Sequence, residues 1–137
     1  METRITITGN ADDPIGSPLA KIRKTKKQAW TDPVQRYARW KVYVLEQYHK
    51  QTKTRVQWEF VKGSNKSRMV KPFKTSEDNP GHMHIKIQWK NGVHADPEGV
   101  FGSIADALFS QDKYLSGSFE ADPIPKGEGK VEIIINT

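Results

Sequence analysis

The chain has 137 residues, a formal net charge of +6 and no cysteine. This length fits one domain with its own hydrophobic core, and the lack of cysteine excludes disulfides and thiolate metal sites. We therefore expect a single domain over residues 1–137, in which oxygen or histidine ligands would hold any metal. The start does not resemble a signal peptide and no window approaches the roughly 18 apolar residues of a membrane span, so we expect a cytoplasmic protein without a membrane partner.

The positive charge is concentrated in the first part of the chain. Residues 1–75 carry 17 lysines and arginines against 6 acids, whereas residues 76–137 carry 5 against 10. A basic half indicates a surface for a polyanion. An acidic half in the same small domain indicates either charge compensation or a local cation site.

The first predicted elements are a strand and a helix. The segment RITIT alternates polar and apolar residues, which predicts a half-buried strand at residues 4–8. Thr31 or Asp32 as N-cap, Pro33 in the first turn and apolar residues at helical spacing predict a helix from about 33 to 50. Between these elements lies a loop with a dense cluster of cations, namely Lys21, Arg23, Lys24, Lys26 and Lys27.

More strands and a second helix follow. TRVQWEFV and HMHIKIQWK alternate at period two, which predicts strands at 54–61 and 82–90 joined by a long basic loop. Pro97 opens a helix with an apolar stripe through Ile104 and Leu108, and YLSGSFEA and KVEIIIN predict two closing strands. The order predicts an α/β (α+β) domain, in which a mixed β-sheet packs with two main helices.

Carboxylates surround the second helix. Asp96 precedes Pro97 and Glu98 stands in the first turn, where acids routinely cap helices. Asp112 follows the same helix, so a return of the chain could bring three carboxylates together. Such a cluster would suit magnesium, because hard divalent ions prefer carboxylate oxygens. Helix capping alone is the alternative, and His82 and His84 are interpreted as surface histidines.

The stretch DPEGVFGSIADAL followed by QDKYL resembles the RusA family of Holliday junction resolvases, which are bacterial and prophage endonucleases. The resemblance covers nearly the whole chain, since an N-terminal strand, a basic loop ending in WTDP, a long helix, a strand before the acids and a closing strand pair follow the family's order. Three positions depart from its pattern. Gly99 replaces the family asparagine, Gly102 replaces a lysine important for catalysis, and Gln111 replaces the first of two late acids.

The resemblance implies a function. It implies a metal-dependent endodeoxyribonuclease that resolves four-way junctions by paired symmetric nicks, with Asp96, Glu98 and Asp112 as catalytic and metal-binding residues. Mg²⁺ is the expected cofactor and Mn²⁺ its expected substitute. Asp106 of Asp-Ala-Leu and Lys113 would support the site. The resemblance further implies a homodimer acting on branched DNA in a bacterial or phage-infected cell.

We assign the basic segments to DNA binding through phosphates, with Arg36 and Arg39 of the first helix extending the surface. Lys41 lies near the apolar stripe of that helix and is expected to lay its stem along it, with an active-site lysine as the alternative. Two other functions stay open: a non-catalytic branched-DNA-binding protein of the same family, and an RNA- or ribosome-associated domain. The predicted DNA-binding residues are Lys21, Arg23, Lys24, Lys26, Lys27, Arg68, Lys71 and Lys74.

Overall fold

The computed structural model describes residues 1–22, 31–92, 94–125 and 127–137. They form one small α+β domain with a mixed sheet and two helices, as predicted. A short 3₁₀ turn, Asp112–Tyr114, precedes the fifth strand. In chain order the main elements are β1 (Glu2–Thr8), α1 (Asp32–Thr52), β2 (Trp58–Phe60), β3 (Ser67–Met69), β4 (Gly81–Gln88), α2 (Pro97–Leu108), β5 (Leu115–Ala121) and β6 (Lys130–Asn136).

The main sheet has four strands in the order β1-β6-β4-β5. Strand β6 is antiparallel to both β1 and β4, whereas β4 and β5 are parallel and are connected through α2. Burial alternates along β4, where Met83, Ile85 and Ile87 are fully buried. The period-two pattern therefore predicted correctly which face of this strand packs on the core.

Both helices contribute to the core that covers one face of this sheet. Trp40 and Val44 of α1, with Ile104 of α2, have no exposed surface. The Trp40 indole N–H donates to the Ser103 hydroxyl at 3.0 Å, and this hydroxyl donates to the Leu19 carbonyl at 2.6 Å. The buried polar atoms between the helices are thereby hydrogen-bonded, which avoids the cost of desolvating them unpaired.

The last turn of α1 is bound to the edge strand β1. The Gln51 side-chain oxygen accepts from the Thr6 amide at 2.9 Å, and its nitrogen donates to the Thr6 carbonyl at 2.6 Å. The helix then ends at Lys53, which adopts a left-handed conformation with φ 56°. These contacts explain why α1 continues slightly beyond the predicted end.

The segment between α1 and β4 differs from the prediction. The expected strand at 54–61 is shortened to β2, and β3 lies inside the expected basic loop, so β2 and β3 form a separate two-stranded sheet. The side chains of Trp58 and Phe60 are 62% and 83% exposed. Trp40 and Trp89, by contrast, are buried in the core.

Among the described helices, neither is long and apolar enough to cross a membrane.

Candidate nucleic-acid interface

Ala20 and Lys21, at the start of the first cationic loop, lie directly against α2. The Lys21 amide donates to the Gly99 carbonyl at 2.8 Å. A Cβ atom on Gly99 would stand 2.8 Å from the Ala20 Cβ, closer than side chains pack, so glycine is needed there for the two backbones to approach. A Cβ on Gly102 would instead meet the Lys21 stem at 3.5 Å, an ordinary contact. The side chain of Lys21 therefore lies over Gly102.

Asp96 and Glu98 lie together at the start of α2. The Asp96 carboxylate accepts a hydrogen bond from the Glu98 amide at 3.2 Å, so Asp96 is the N-cap that the sequence predicted. Both residues are exposed. Magnesium takes one or two carboxylates from a protein when substrate phosphates and water complete its coordination, so Asp96 and Glu98 are the residues at this end of α2 that could hold it.

Asp112 lies beyond the opposite end of α2. The helix has 12 residues, about 18 Å, and Asp112 follows it in the turn before β5. The adjacent Gln111 carbonyl accepts from the Thr75 hydroxyl at 2.6 Å, which places this turn beside the end of the basic segment 66–74. The return that would bring Asp112 to Asp96 does not occur within one chain. Among the described residues, no three Asp, Glu or His side chains group closely enough to hold a metal ion.

Asp106 is the centre of a charged network between the two helices. Its carboxylate accepts from the Tyr37 hydroxyl at 2.9 Å and lies 3.3 Å from the Lys41 ammonium and 3.8 Å from the Lys71 ammonium. Lys41, expected to extend along apolar surface, instead reaches this carboxylate. The network joins α1, α2 and the segment after β3.

The ionisation of this network follows from its surroundings. Burial raises the pKa of Asp106, but the hydrogen bond from Tyr37 and the charges of Lys41 and Lys71 outweigh burial, so the pKa lies below its ordinary value. The pKa of Tyr37 is raised by burial first and by its bond to Asp106 second. At neutral pH Asp106 is therefore an ionised carboxylate and Tyr37 a neutral phenol.

Several cations surround the depressions next to this network. A cavity of about 500 Å³ between α1, α2 and the β2–β3 sheet is lined by Lys41, Arg68 and Lys71. Lys71 also lines two smaller depressions, of about 120 Å³ and 250 Å³, with Lys74 in both and Arg55 in the larger. We call these five cations the basic surface: Lys41, Arg55, Arg68, Lys71 and Lys74.

The basic surface is only partly neutralised by acids. The Arg68 guanidinium lies 2.8 Å from the Glu59 carboxylate, and Asp106 is shared by Lys41 and Lys71. Glu46 also lines the cavity of about 500 Å³, so three acids, Glu46, Glu59 and Asp106, face the five cations. Within the described part of the chain, Arg55 and Lys74 have no ion-pair partner. The surface retains positive charge for an external anion.

The predicted DNA-binding residues have different positions. Arg68, Lys71 and Lys74 lie together on the basic surface. Lys21 is apart from them and packs its side-chain stem against α2 at Gly102. The other four predicted cations, Arg23, Lys24, Lys26 and Lys27, lie outside the described residues.

Three further cations are not part of the basic surface, namely Arg36, Arg39 and Lys113. Arg36 and Arg39, which were expected to extend the phosphate-binding surface, both bind the single carboxylate of Asp12, at 3.3 Å and 2.8 Å, which offsets one of their two charges. Lys113 is exposed and lies over the Tyr114 ring, 5.3 Å from its centroid.

Sequence reasoning missed part of the site. Tyr37 and Asp106 are 69 residues apart, and no local pattern indicates that they meet. Lys41 carried only a weak signal, since a lysine beside an apolar stripe commonly lays its stem along it, and no local pattern indicated Asp106 as its partner. Arg55 lies in the segment 54–61, which was predicted to be a strand with one buried face. In the structure Arg55 is exposed and precedes β2.

Comparison with protein-family models finds no match for this chain, and no curated protein matches it.

Proposed function

We propose that the protein binds branched DNA, with the four-way junction as its preferred form. The observation that carries this proposal is the position of Lys71, which lines three adjoining depressions bordered by the other four cations of the basic surface. Phosphate binding needs such clustered cations with few acids facing them. The resemblance to the RusA family supports a branched form rather than a plain duplex.

The proposed binding is electrostatic. Lysine and arginine side chains that contact phosphates release the counterions condensed on DNA, so affinity falls steeply as the salt concentration rises. Such contacts position the nucleic acid without reading its bases. The protein would accordingly recognise the shape of the branch and tolerate changes in its sequence.

The test compares two double variants that lose the same charge. Lys71→Ala with Lys74→Ala removes two cations from the basic surface, and Arg4→Ala with Lys86→Ala removes two from exposed strand positions of the main sheet. Fluorescence anisotropy with a labelled four-way junction over a range of salt should show weaker binding by the first variant. Its log affinity against log salt should flatten by about 1 to 2, and the second variant should match the wild type. Equal affinities and slopes would contradict the proposal, as would tighter binding to RNA of equal length.

We also propose magnesium-dependent nicking as a second function, favoured by the side chain of Lys21. The RusA family pattern has a lysine where this chain has Gly102. Here the Lys21 stem passes over Gly102, in the first half of α2, the half next to Asp96 and Glu98. Asp96 and Glu98 would hold the ion, which would activate water and neutralise charge on the scissile phosphate. Lys21 would supply the missing positive charge.

Nicking of a labelled junction in magnesium tests this second function. The wild type should nick, and Lys21→Met should nick at least about 10-fold more slowly while it retains junction affinity. Lys113→Met is the matched control, because Lys113 lies beyond the other end of α2. An inactive wild type in both magnesium and manganese would leave DNA binding as the function.

A further inference from the structure

The β2–β3 sheet exposes two aromatic rings on one face. In its register Trp58 pairs with Met69 and Phe60 with Ser67, so these four side chains share a face while Glu59 and Arg68 share the other. Trp58 is 62% exposed and Phe60 is 83% exposed. Neither ring contacts another aromatic ring of the described residues.

Trp58 borders the basic surface, and Phe60 follows it two residues further along the same face of β2. Trp58 lines the cavity of about 500 Å³ together with Lys41, Arg68 and Lys71. An apolar protein partner would have to desolvate this charged cluster, in which Lys41 and Lys71 share the single carboxylate of Asp106, and burying charged groups in an apolar contact is costly. A partner with flat apolar faces and a negative backbone satisfies both features. Single-stranded nucleic acid has that chemistry, because every base presents a stacking face and every nucleotide a phosphate.

The spacing of the rings fits separated bases. Residues two apart on a strand lie about 6.8 Å apart along it. This is twice the rise of about 3.4 Å per nucleotide within a stacked DNA strand. The rings would therefore receive neighbouring bases that are not stacked on each other. Such bases occur in single strands and where a branch leaves bases unpaired.

We propose that Trp58 and Phe60 form a stacking platform for unpaired bases of DNA, whose phosphates are bound by the basic surface. This inference rests on the proposed DNA binding and adds its substrate class: DNA with single-stranded character, in preference to fully paired duplex. Trp58 and Phe60 are binding residues in this arrangement, and Lys41 and Lys71 bind the adjoining backbone.

The experiment separates stacking from charge and from apolar contact. Trp58→Leu with Phe60→Leu keeps apolar side chains and removes the rings, and Trp58→Phe keeps a ring. Phe119→Leu is the matched control, since Phe119 is a partly exposed aromatic on β5 at the edge of the main sheet. Anisotropy with a labelled oligothymidine and with a fully paired duplex of equal length measures each affinity. One stacked base contributes about 5- to 150-fold to affinity.

The double leucine variant should lose at least about 10-fold in oligothymidine affinity and less than about 2-fold in duplex affinity, while Trp58→Phe and Phe119→Leu bind both DNAs as the wild type does. Unchanged oligothymidine affinity of the double leucine variant would overturn the platform, even if Lys71→Ala with Lys74→Ala weakens every DNA. A change of sedimentation mass in that variant without a change of affinity would also overturn it, by identifying a contact between protein chains. Absence of any DNA binding by the wild type would overturn the proposed function itself.

Discussion

Replacing Asp106 by asparagine should tighten DNA binding and weaken the fold. The Asp106 carboxylate lies 3.3 Å from the Lys41 ammonium and 3.8 Å from that of Lys71, so it competes with phosphate for both cations. Asparagine has nearly the same shape and retains an oxygen that accepts from the Tyr37 hydroxyl. The substitution therefore removes the charge and leaves the packing in place.

The magnitude follows from the geometry. A phosphate bound on the far side of Lys41 would lie about 6 Å from Asp106, where like charges repel by about 0.7 kcal/mol in a water-like dielectric and by more in a half-buried site. Affinity should therefore rise by about 3-fold or more. The two ion pairs involve lysines about one third exposed and together contribute about 1 kcal/mol at most to stability. Weakening the Tyr37 bond adds about 1 kcal/mol, so unfolding should become about 1 to 2 kcal/mol easier.

The pH dependence has a definite sign. The pKa of Asp106 is lowered in the folded state, so its stabilising contribution is fully present above the ordinary pKa of 3.8 and is lost as pH falls through the lowered pKa. The difference in unfolding free energy between the wild type and Asp106→Asn should thus be constant near neutral pH. It should shrink below about pH 4.

The assay combines junction anisotropy with urea unfolding. Asp13→Asn is the matched control, because Asp13 forms an ion pair of similar exposure with Lys90, at 2.7 Å, that does not involve the basic surface. It should lose stability and leave junction affinity near that of the wild type. Unchanged or weaker binding by Asp106→Asn would refute the competition between carboxylate and phosphate. Equal tightening by both variants would attribute the effect to net charge alone.

Three other predictions concern α2, the carboxylates and assembly. Gly99→Ala should destabilise the protein by about 1 to 3 kcal/mol in urea unfolding, because the added Cβ would overlap with Ala20, whereas Gly102→Ala should stabilise it by about 0.5 to 1 kcal/mol. A change of the same sign in both variants would contradict the packing of residues 20–21 against α2. Glu98→Gln should abolish magnesium-dependent nicking and retain junction binding; because Asp112 lies beyond the other end of α2, Asp112→Asn should nick normally, and loss of nicking there would show that Asp112 reaches the site. Sedimentation equilibrium should give twice the mass of one chain, and a monomer that nicks both strands of a junction would contradict the dimer.

The strands of the main sheet were predictable because one of their faces is buried. The pattern KVEIIIN predicted β6 at 130–136, the range that the structure has, and the cap and proline at Asp96 and Pro97 fixed the start of α2. The end of α1 and the presence of β3 could not be read from a local pattern. Helix α1 continues to Thr52 because Gln51 binds β1, and β3 has too few residues for any periodicity.

The candidate site was predictable only where it is local. Arg68, Lys71 and Lys74 are close in sequence and stay close in space, so their shared surface could be anticipated. The meeting of Tyr37, Lys41 and Asp106 depends on how two helices pack, which spacing along the chain does not encode. The expected gathering of Asp96 and Asp112 was incorrect within one chain because the helix between them separates its two ends by its full length.

The hydrogen bonds between Gln51 and Thr6 limit how this sheet can grow. They occupy backbone groups of β1 that a strand from another molecule would need, so an incoming strand must first displace a doubly bonded amide. Strand addition is thereby directed to β5, the opposite margin, which pairs with β4 and with no other strand of the described residues. In two molecules joined through β5, the outer margin of each main sheet would be β1, where the backbone groups of Thr6 are already bonded. Through the main sheet, backbone pairing therefore favours a closed pair of molecules over a fibre.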